Sequence, residues 1–244
     1  EMLVIPYTGS DPVTLGVCLD KARAKEILSH YAIPTPPFVV VRSSQELNAL
    51  DFALPAIVKP LHEGSSKGIT DASVVRTRNE LRAQVRTVLT EYGQPALVEK
   101  FMSGREFTVA LLGNPPIIET KFDSLPAGVN PIYSYEAKWI WDQADRPIEI
   151  HECPAKLDRK LQRSIEEICI RAFTVLDCRE WCRIDVRLDE AGIPHVLELN
   201  PLPGILPDPA DHSCFPVAAR TGGLSYQALL NEVVRIAKER YGLS

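Results

Sequence analysis

The chain has 244 residues, 45% of them hydrophobic and 24% charged, with a formal net charge of −5. That length allows a sizeable core in one large domain or two small ones, and the composition is that of a globular protein. Negative charge without a basic block excludes a general nucleic-acid binder, and no apolar run approaches the ~20 residues of a membrane span.

No signal-peptide pattern opens the chain. The cysteines at 18, 153, 169, 178, 182 and 214 form no Cys-x-x-Cys pair, and read as reduced thiols of a cytoplasmic protein rather than disulfides or zinc ligands.

Residues 1–18 hold Pro6, Gly9, Ser10, Asp11 and Pro12 and read as a linker without a core of its own. Ala24, Ile27, Leu28 and Tyr31 fall at helical spacing, and Pro34, Pro36 and Pro37 end that helix. Phe38 to Val41 is a strand, and Ser43-Ser44-Gln45-Glu46 opens a short helix as a capping box. Ala56-Ile57-Val58-Lys59-Pro60 is a buried strand that leads into the Gly/Ser-rich loop 63–68. A helix capped by Thr77 and Glu80 follows, then a strand over 96–100 and another from Phe107 to Leu112. The segment 115–152 is loop-rich. A helix is expected over about 158–176, a hairpin over 182–200, a proline-rich loop over 201–216 and a last helix over about 225–241. Strands and helices mix without a strict βαβ repeat, so the fold class is α+β with largely antiparallel sheets.

In the hairpin, Ile184, Val186 and Leu188 point one way and Arg183, Asp185 and Arg187 the other. After a turn at 189–192, Leu197 and Leu199 alternate with Val196, Glu198 and Asn200. The simplest register sets Asp185 opposite Glu198 and Arg183 opposite Asn200. Like charges facing at roughly 5 Å repel. Such a face is either solvated or holds a divalent cation, for which carboxylate and amide oxygens are suitable ligands.

Loop 63–68, with Lys59 at the strand end before it, could cradle a phosphate by its amides or be only a loop; it matches neither the Walker nor the dinucleotide pattern. Glu99-Lys100-Phe101 could offer main-chain groups to an adenine and Glu106 a carboxylate to a ribose, or both acids could be surface charges.

In combination these segments resemble the ATP-grasp superfamily and, within it, the D-alanine–D-alanine ligases. The likeness rests on Asp20-Lys21, Ile57 to Pro60, loop 63–68, Val98-Glu99-Lys100-Phe101 and Ser103 to Thr108, then on Tyr135-Glu136-Ala137-Lys138, Cys182 to Val186, Leu197 to Asn200, and His212-Ser213 followed by Pro216. It implies two α+β lobes gripping ATP, a small one over 19–103 and a large C-terminal one over 104–244, with 1–18 the remnant of a linker from a missing N-terminal domain.

The resemblance also implies roles. Lys59 and Lys138 would touch ATP phosphates and Lys21 would lie at the nucleotide site, while Ser65 and Ser66 fold over the phosphates. Glu99, Lys100 and Phe101 would lie at the adenine and Glu106 at the ribose. Asp185, Glu198 and Asn200 would hold two Mg²⁺ ions, or Mn²⁺ in their place. Arg183 would sit at the reacting carboxyl, the Gly204 amide would complete an oxyanion site, and Ser213 would hold the second substrate's carboxylate. The implied reaction is peptide-bond formation through an acyl phosphate, as in cell-wall precursor synthesis. The implied partners are amino-acid or peptide substrates, with a homodimer or a second chain supplying the missing domain.

Four features depart from that pattern. The family's N-terminal domain is not in this sequence, Trp139 stands where the family usually has tyrosine, residues 125–131 enlarge the lid, and 207–211 form an acidic insert. They leave open two alternatives, a ligase for other amino acids or peptides and a Mg-ATP-binding module without turnover. Trp141 and Trp181 read as packing, His30, His62, His151 and His195 lack metal-ligand spacing, and Arg76, Arg78, Arg82 and Arg86 read as a solvated helix face.

Overall fold

The computed structural model describes residues 4–112, 117–142, 148, 150–209 and 213–243. It contains two antiparallel sheets. Helices α1 (Pro12–Leu19) and α2 (Lys21–His30) lead into strand β1 (Phe38–Val41) and helix α3 (Ser44–Ala49). Strands β2 (Ala56–Pro60) and β3 (Val74–Val75), helix α4 (Arg78–Glu91) and strand β4 (Ala96–Lys100) complete the first sheet, in the order β1-β4-β2-β3. The second sheet has the order β7-β6-β5-β8-β9, from strands β5 (Glu106–Leu111), β6 (Ile118–Thr120), β7 (His151–Glu152), β8 (Cys182–Leu188) and β9 (Pro194–Asn200). Helices α5 (Arg159–Val175), α6 (Cys214–Thr221) and α7 (Tyr226–Arg240) cover it.

Three features correct the sequence reading. The expected linker holds α1, because Asp11 accepts from the Thr14 amide at 2.9 Å and Pro12 stands at the start, where a helix tolerates it. Helix α1 also sends Cys18 into the core. Likewise, α6 begins within the expected loop 201–216, since Pro216 lies in its first turn, where no amide partner is lost. Finally, α2 does not belong to the first sheet alone. Ala22 packs with Leu61 and Leu97 of that side, while Ala24 and Leu28 pack with Phe107 and Ile184 of the second sheet and Ile165 of α5.

The first core, Val41, Leu47, Val58, Val85, Val88 and Val98, lies between its sheet and helices α3 and α4. In the second sheet, Phe107 and Val109 of β5 face the core formed with α5, and Ala110 of β5 faces α6 and α7. Trp181 packs edge-on against Phe215 at 5.7 Å, in line with its reading as a packing residue. The alternating polar residues between Ala110 and the first sheet are left to line a cleft.

Candidate functional site

Strands β5, β8 and β9 carry the polar wall of that cleft. Strand pairing sets Glu106 opposite Arg187 and Thr108 opposite Asp185, then Asp185 opposite Glu198 and Arg183 opposite Asn200. The last two pairs are those expected from the alternation. Past Asp185 the ladder shifts by one residue, so Val186 pairs with Val196 and not with Leu197. An extra residue in one strand reverses which face its neighbours take. Val196 therefore enters the core, against expectation, and Leu197 lines the cleft beside Glu198.

Around the opposed carboxylates, Thr108 Oγ1 donates to Asp185 Oδ1 at 2.9 Å and Arg183 Nη2 donates to Asp185 Oδ2 at 2.9 Å. Arg183 Nη2 also reaches Glu198 Oε1 at 3.4 Å, and the Asn200 amide donates to the same oxygen at 3.2 Å. Burial and the Glu198 charge push the Asp185 carboxyl up, although Arg183 opposes them. Burial raises Glu198 as well, but Lys21, Arg183 and Lys59 outweigh it and hold it at about 2. Among the described residues no three His, Cys, Asp or Glu side chains cluster as a metal cage. The donor set is two carboxylates and an amide, which fits a hard cation such as Mg²⁺ that fills its shell with phosphate oxygens and water.

A second charged group lies behind this wall. Glu99, expected at an adenine, is 1% exposed and clasped by two lysines, Lys25 at 2.8 Å and Lys59. It is an internal counterion. Lys25 also donates to Thr35 at 2.8 Å, which donates to the Val196 carbonyl at 2.8 Å, so the group ties the first sheet to β9. Lys21 is buried and donates to the Glu63 carbonyl at the start of the Gly/Ser loop. Burial lowers the Lys21 and Lys138 ammonium groups.

Lys100 and Phe101 line the cleft, but their amides donate to the Pro37 and Pro55 carbonyls at 2.9 and 3.1 Å, so neither amide is available to a base. The Lys100 ammonium pairs with Glu190 at 3.1 Å. Burial raises the Glu106 carboxyl, opposed by Arg187, whose Nη1 donates to it at 3.1 Å. Arg187 also donates to the Gly104 and Pro131 carbonyls at 3.2 and 2.7 Å, and lies 5.0 and 4.9 Å from the Phe101 and Phe122 ring centres.

Two segments meet over the cleft. Ser65 and Ser66 take positive φ, 53° and 60°, in a turn closed by the Lys67 amide on the Gly64 carbonyl at 3.0 Å. Opposite them, 137–141 form a π-turn that carries Lys138 and Trp139. The Trp139 indole N–H donates to the Ser65 carbonyl at 3.1 Å, and Ser66 Oγ to the Tyr133 carbonyl at 2.8 Å. At the other end, Ser213 Oγ donates to the Gly204 carbonyl at 2.8 Å, and Cys214 Sγ lies 3.6 Å from His151 Nε2.

The cleft has a volume of about 670 Å³, within the usual range for a small-molecule site. It brings together Lys21, Lys59, Ser65, Ser66, Glu99, Lys100, Phe101, Glu106, Lys138, Arg183, Asp185, Glu198, Gly204 and Ser213, with Asn200 bonded at its edge. Insert residues 210–211 and His212, like 115–116, 143–147 and 149 of the loop-rich segment, lie outside the described residues.

Sequence reasoning missed Lys25, Thr108, Tyr133, His151 and Cys214, and gave Arg187 no role. Lys25 had a signal, a lysine three residues from both Ala22 and Leu28 on an otherwise apolar stripe. Thr108 follows only from the β5–β8 pairing, and His151 and Cys214 meet only in three dimensions.

The family description "D-ala D-ala ligase C-terminus" matches residues 27–235. The chain belongs to the D-alanine–D-alanine ligase family. It is 34% identical over 241 residues to a D-alanine–D-alanine ligase of Alcanivorax borkumensis, covering 98% of this chain and 71% of that one. An uncharacterised protein of Sinorhizobium fredii is 37% identical over 246 residues, covering 99% and 69%. The crystal structure of D-alanine–D-alanine ligase from Bacillus anthracis complexed with ATP superposes with a TM-score of 0.74 at 26% identity, over 98% of this chain and 72% of that one. The ATP-grasp fold and its two antiparallel sheets are thus shared with this family. Among the described residues no helix is long and apolar enough to cross a membrane.

Proposed function

We propose that the chain is the catalytic part of an ATP-dependent carboxylate–amine ligase, which forms a peptide bond and releases ADP and phosphate. The observation that carries this reading is the cationic and acidic wall of one cleft, with Lys21, Lys59, Lys138 and Arg183 facing Asp185 and Glu198. The ATP complex of the Bacillus anthracis relative supports placing a nucleotide there. Ile57, Ile69, Phe101, Met102 and Leu197 give the cleft an apolar end for the base, and Glu106, held by Arg187, would accept from the ribose hydroxyls.

Asp185, Glu198 and Asn200 would hold two Mg²⁺ ions beneath the phosphates, where bound magnesium neutralises charge on the transferring group. Lys59 and Lys138 add charge on the protein side, and Ser65 and Ser66 cover the phosphates. The γ-phosphoryl group moves to a substrate carboxylate oxygen, breaking the bond to ADP. The amine of the second substrate then attacks the acyl carbon, and phosphate leaves. Arg183, with the Gly204 amide, would stabilise the oxyanion formed at that carbon, where losing one such donor typically costs about 10²–10³ in rate. Ser213 would hold the second substrate's carboxylate. The closed contact between loop 63–68 and the Trp139 segment excludes water from the acyl phosphate.

Trp139, where the family usually has tyrosine, and the acidic insert over 207–211 support a second reading, a ligase that joins other amino acids or peptides. ADP release measured against a panel of D- and L-amino acids and dipeptides tests both readings. Strict dependence on D-alanine would remove the second. Tight binding of Mg-ATP without ADP release on any substrate would replace both with a non-catalytic nucleotide module.

A further inference from the structure

Cys214 begins helix α6 in the wall of the cleft, and His151 ends its strand pairing with Thr120 in the same wall. Their Sγ and Nε2 atoms lie 3.6 Å apart, while the buried His151 Nδ1 has no hydrogen-bond partner among the described residues. The ring is held instead by an edge contact with Tyr133 at 5.4 Å. The charged and titratable groups around the sulfur are His151 on β7, Cys153 just after it, Arg183 and Asp185 on β8, and Tyr133 and Lys138 on the segment above. Cations predominate among them. Burial raises the Cys214 thiol, but His151 and Arg183 outweigh it and bring it below the ordinary thiol range. Burial lowers His151, and the Cys214 sulfur with Asp142 reverses that shift.

The other thiols differ. Cys18, Cys169, Cys178 and Cys182 are buried in packed core, and burial raises Cys153. A thiolate is the reactive form of cysteine, and a neighbouring imidazolium favours it.

We propose that Cys214, held against His151 inside the cleft, is a modification site of this chain, a reactive thiol open to hydroperoxides and to soft carbon electrophiles. With a hydroperoxide, sulfur attacks one peroxide oxygen, an S–O bond forms and the O–O bond breaks. The sulfur is oxidised to a sulfenic acid, and the departing oxygen is reduced and takes a proton from His151, leaving as water or an alcohol. With iodoacetamide an S–C bond forms and iodide leaves. Either adduct stands inside the cleft one residue from Ser213.

The test is residue-resolved alkylation of the folded chain with limiting iodoacetamide, read by mass spectrometry, with dimedone trapping after hydrogen peroxide. Cys214 is expected to react on the order of tenfold faster than Cys153 at neutral pH, where an ordinary thiol is only a few per cent thiolate. Its rate should level off below the pH at which a free thiol titrates, and His151→Gln should remove most of the advantage. The pH profile needs only the unaltered chain, so the test survives a His151→Gln variant that does not fold. Cys214 reacting no faster than Cys153, or following an ordinary thiol's pH profile, or keeping its rate in folded His151→Gln, would overturn the proposal. None of these readings depends on turnover.

Discussion

Asp185 and Glu198 stand directly opposite each other across the β8–β9 ladder, bridged by Arg183 Nη2 at 2.9 and 3.4 Å. Two opposed carboxylates destabilise a strand pair, by roughly 0.2–1 kcal/mol in exposed sheets. Removing either relieves that repulsion and leaves Arg183 paired with the other carboxylate, so the chain should still fold while a cation ligand is lost. Asp185→Ala and Glu198→Ala are each expected to lower ADP release by about 10³ or more with little change in melting temperature. A collapse in the thermal melt would make these carboxylates structural.

Glu99 is the shared counterion of Lys25 and Lys59, and the two lysines are not equivalent to it. Glu99→Gln leaves two buried cations, and removing one partner of a buried pair typically costs about 3–5 kcal/mol. Lys25→Met leaves Glu99 paired with Lys59 and should cost far less. Urea unfolding of the two variants checks that order.

The same carboxylate sets an acid limit. Burial raises Glu99, but Lys25 and Lys59 together hold it below its ordinary value of 4.5. A depressed carboxyl stabilises the fold fully above its unfolded value and loses that contribution as pH falls through the folded one. The unaltered chain should lose urea resistance as pH drops below about 4.5, and Glu99→Gln should lose less over the same range. Equal slopes for the two would refute the assignment.

Arg187 joins Glu106, the Gly104 and Pro131 carbonyls and two aromatic faces through one guanidinium. Arg187→Met leaves Glu106 buried and unpaired, and should cost about 3–5 kcal/mol. Adding Glu106→Gln in the same chain should recover part of that loss, a coupling read from the four unfolding curves. Simple additivity would show that the pair does not interact.

Trp139→Phe keeps the ring but removes the indole N–H that reaches the Ser65 carbonyl. One hydrogen bond of about 1 kcal/mol corresponds to roughly a fivefold change in an equilibrium. Weaker ATP affinity of that size and faster proteolysis within loop 63–68 are the expected results, with the melting temperature unchanged. No change in either readout would mean that the two segments close independently.

Much of the cleft was legible because its residues obey a period of two. The polar face of β8 and β9, and the Asp185–Glu198 register, follow from alternation alone. Alternation fails where the ladder gains a residue, which is why Val196 and Leu197 exchange the faces expected of them. Prolines misled in the opposite sense. Pro12 and Pro216 read as breakers, yet both stand in a first helical turn, where a missing amide proton leaves no bond broken. Glu99 illustrates a deeper limit. Its place in a strand was readable, but whether it meets a ligand or a pair of lysines depends on Lys25, which arrives from a helix more than seventy residues earlier.

Helix α2 has consequences for dissection. Its Ala22 side belongs to one sheet and its Ala24 and Leu28 side to the other, so the beginning of the chain seals a core built mostly from its second half. Scission near residue 103 would separate that seal from the strands beneath it. The fragments would each expose a greasy surface, and activity would return only when they were mixed and reassembled.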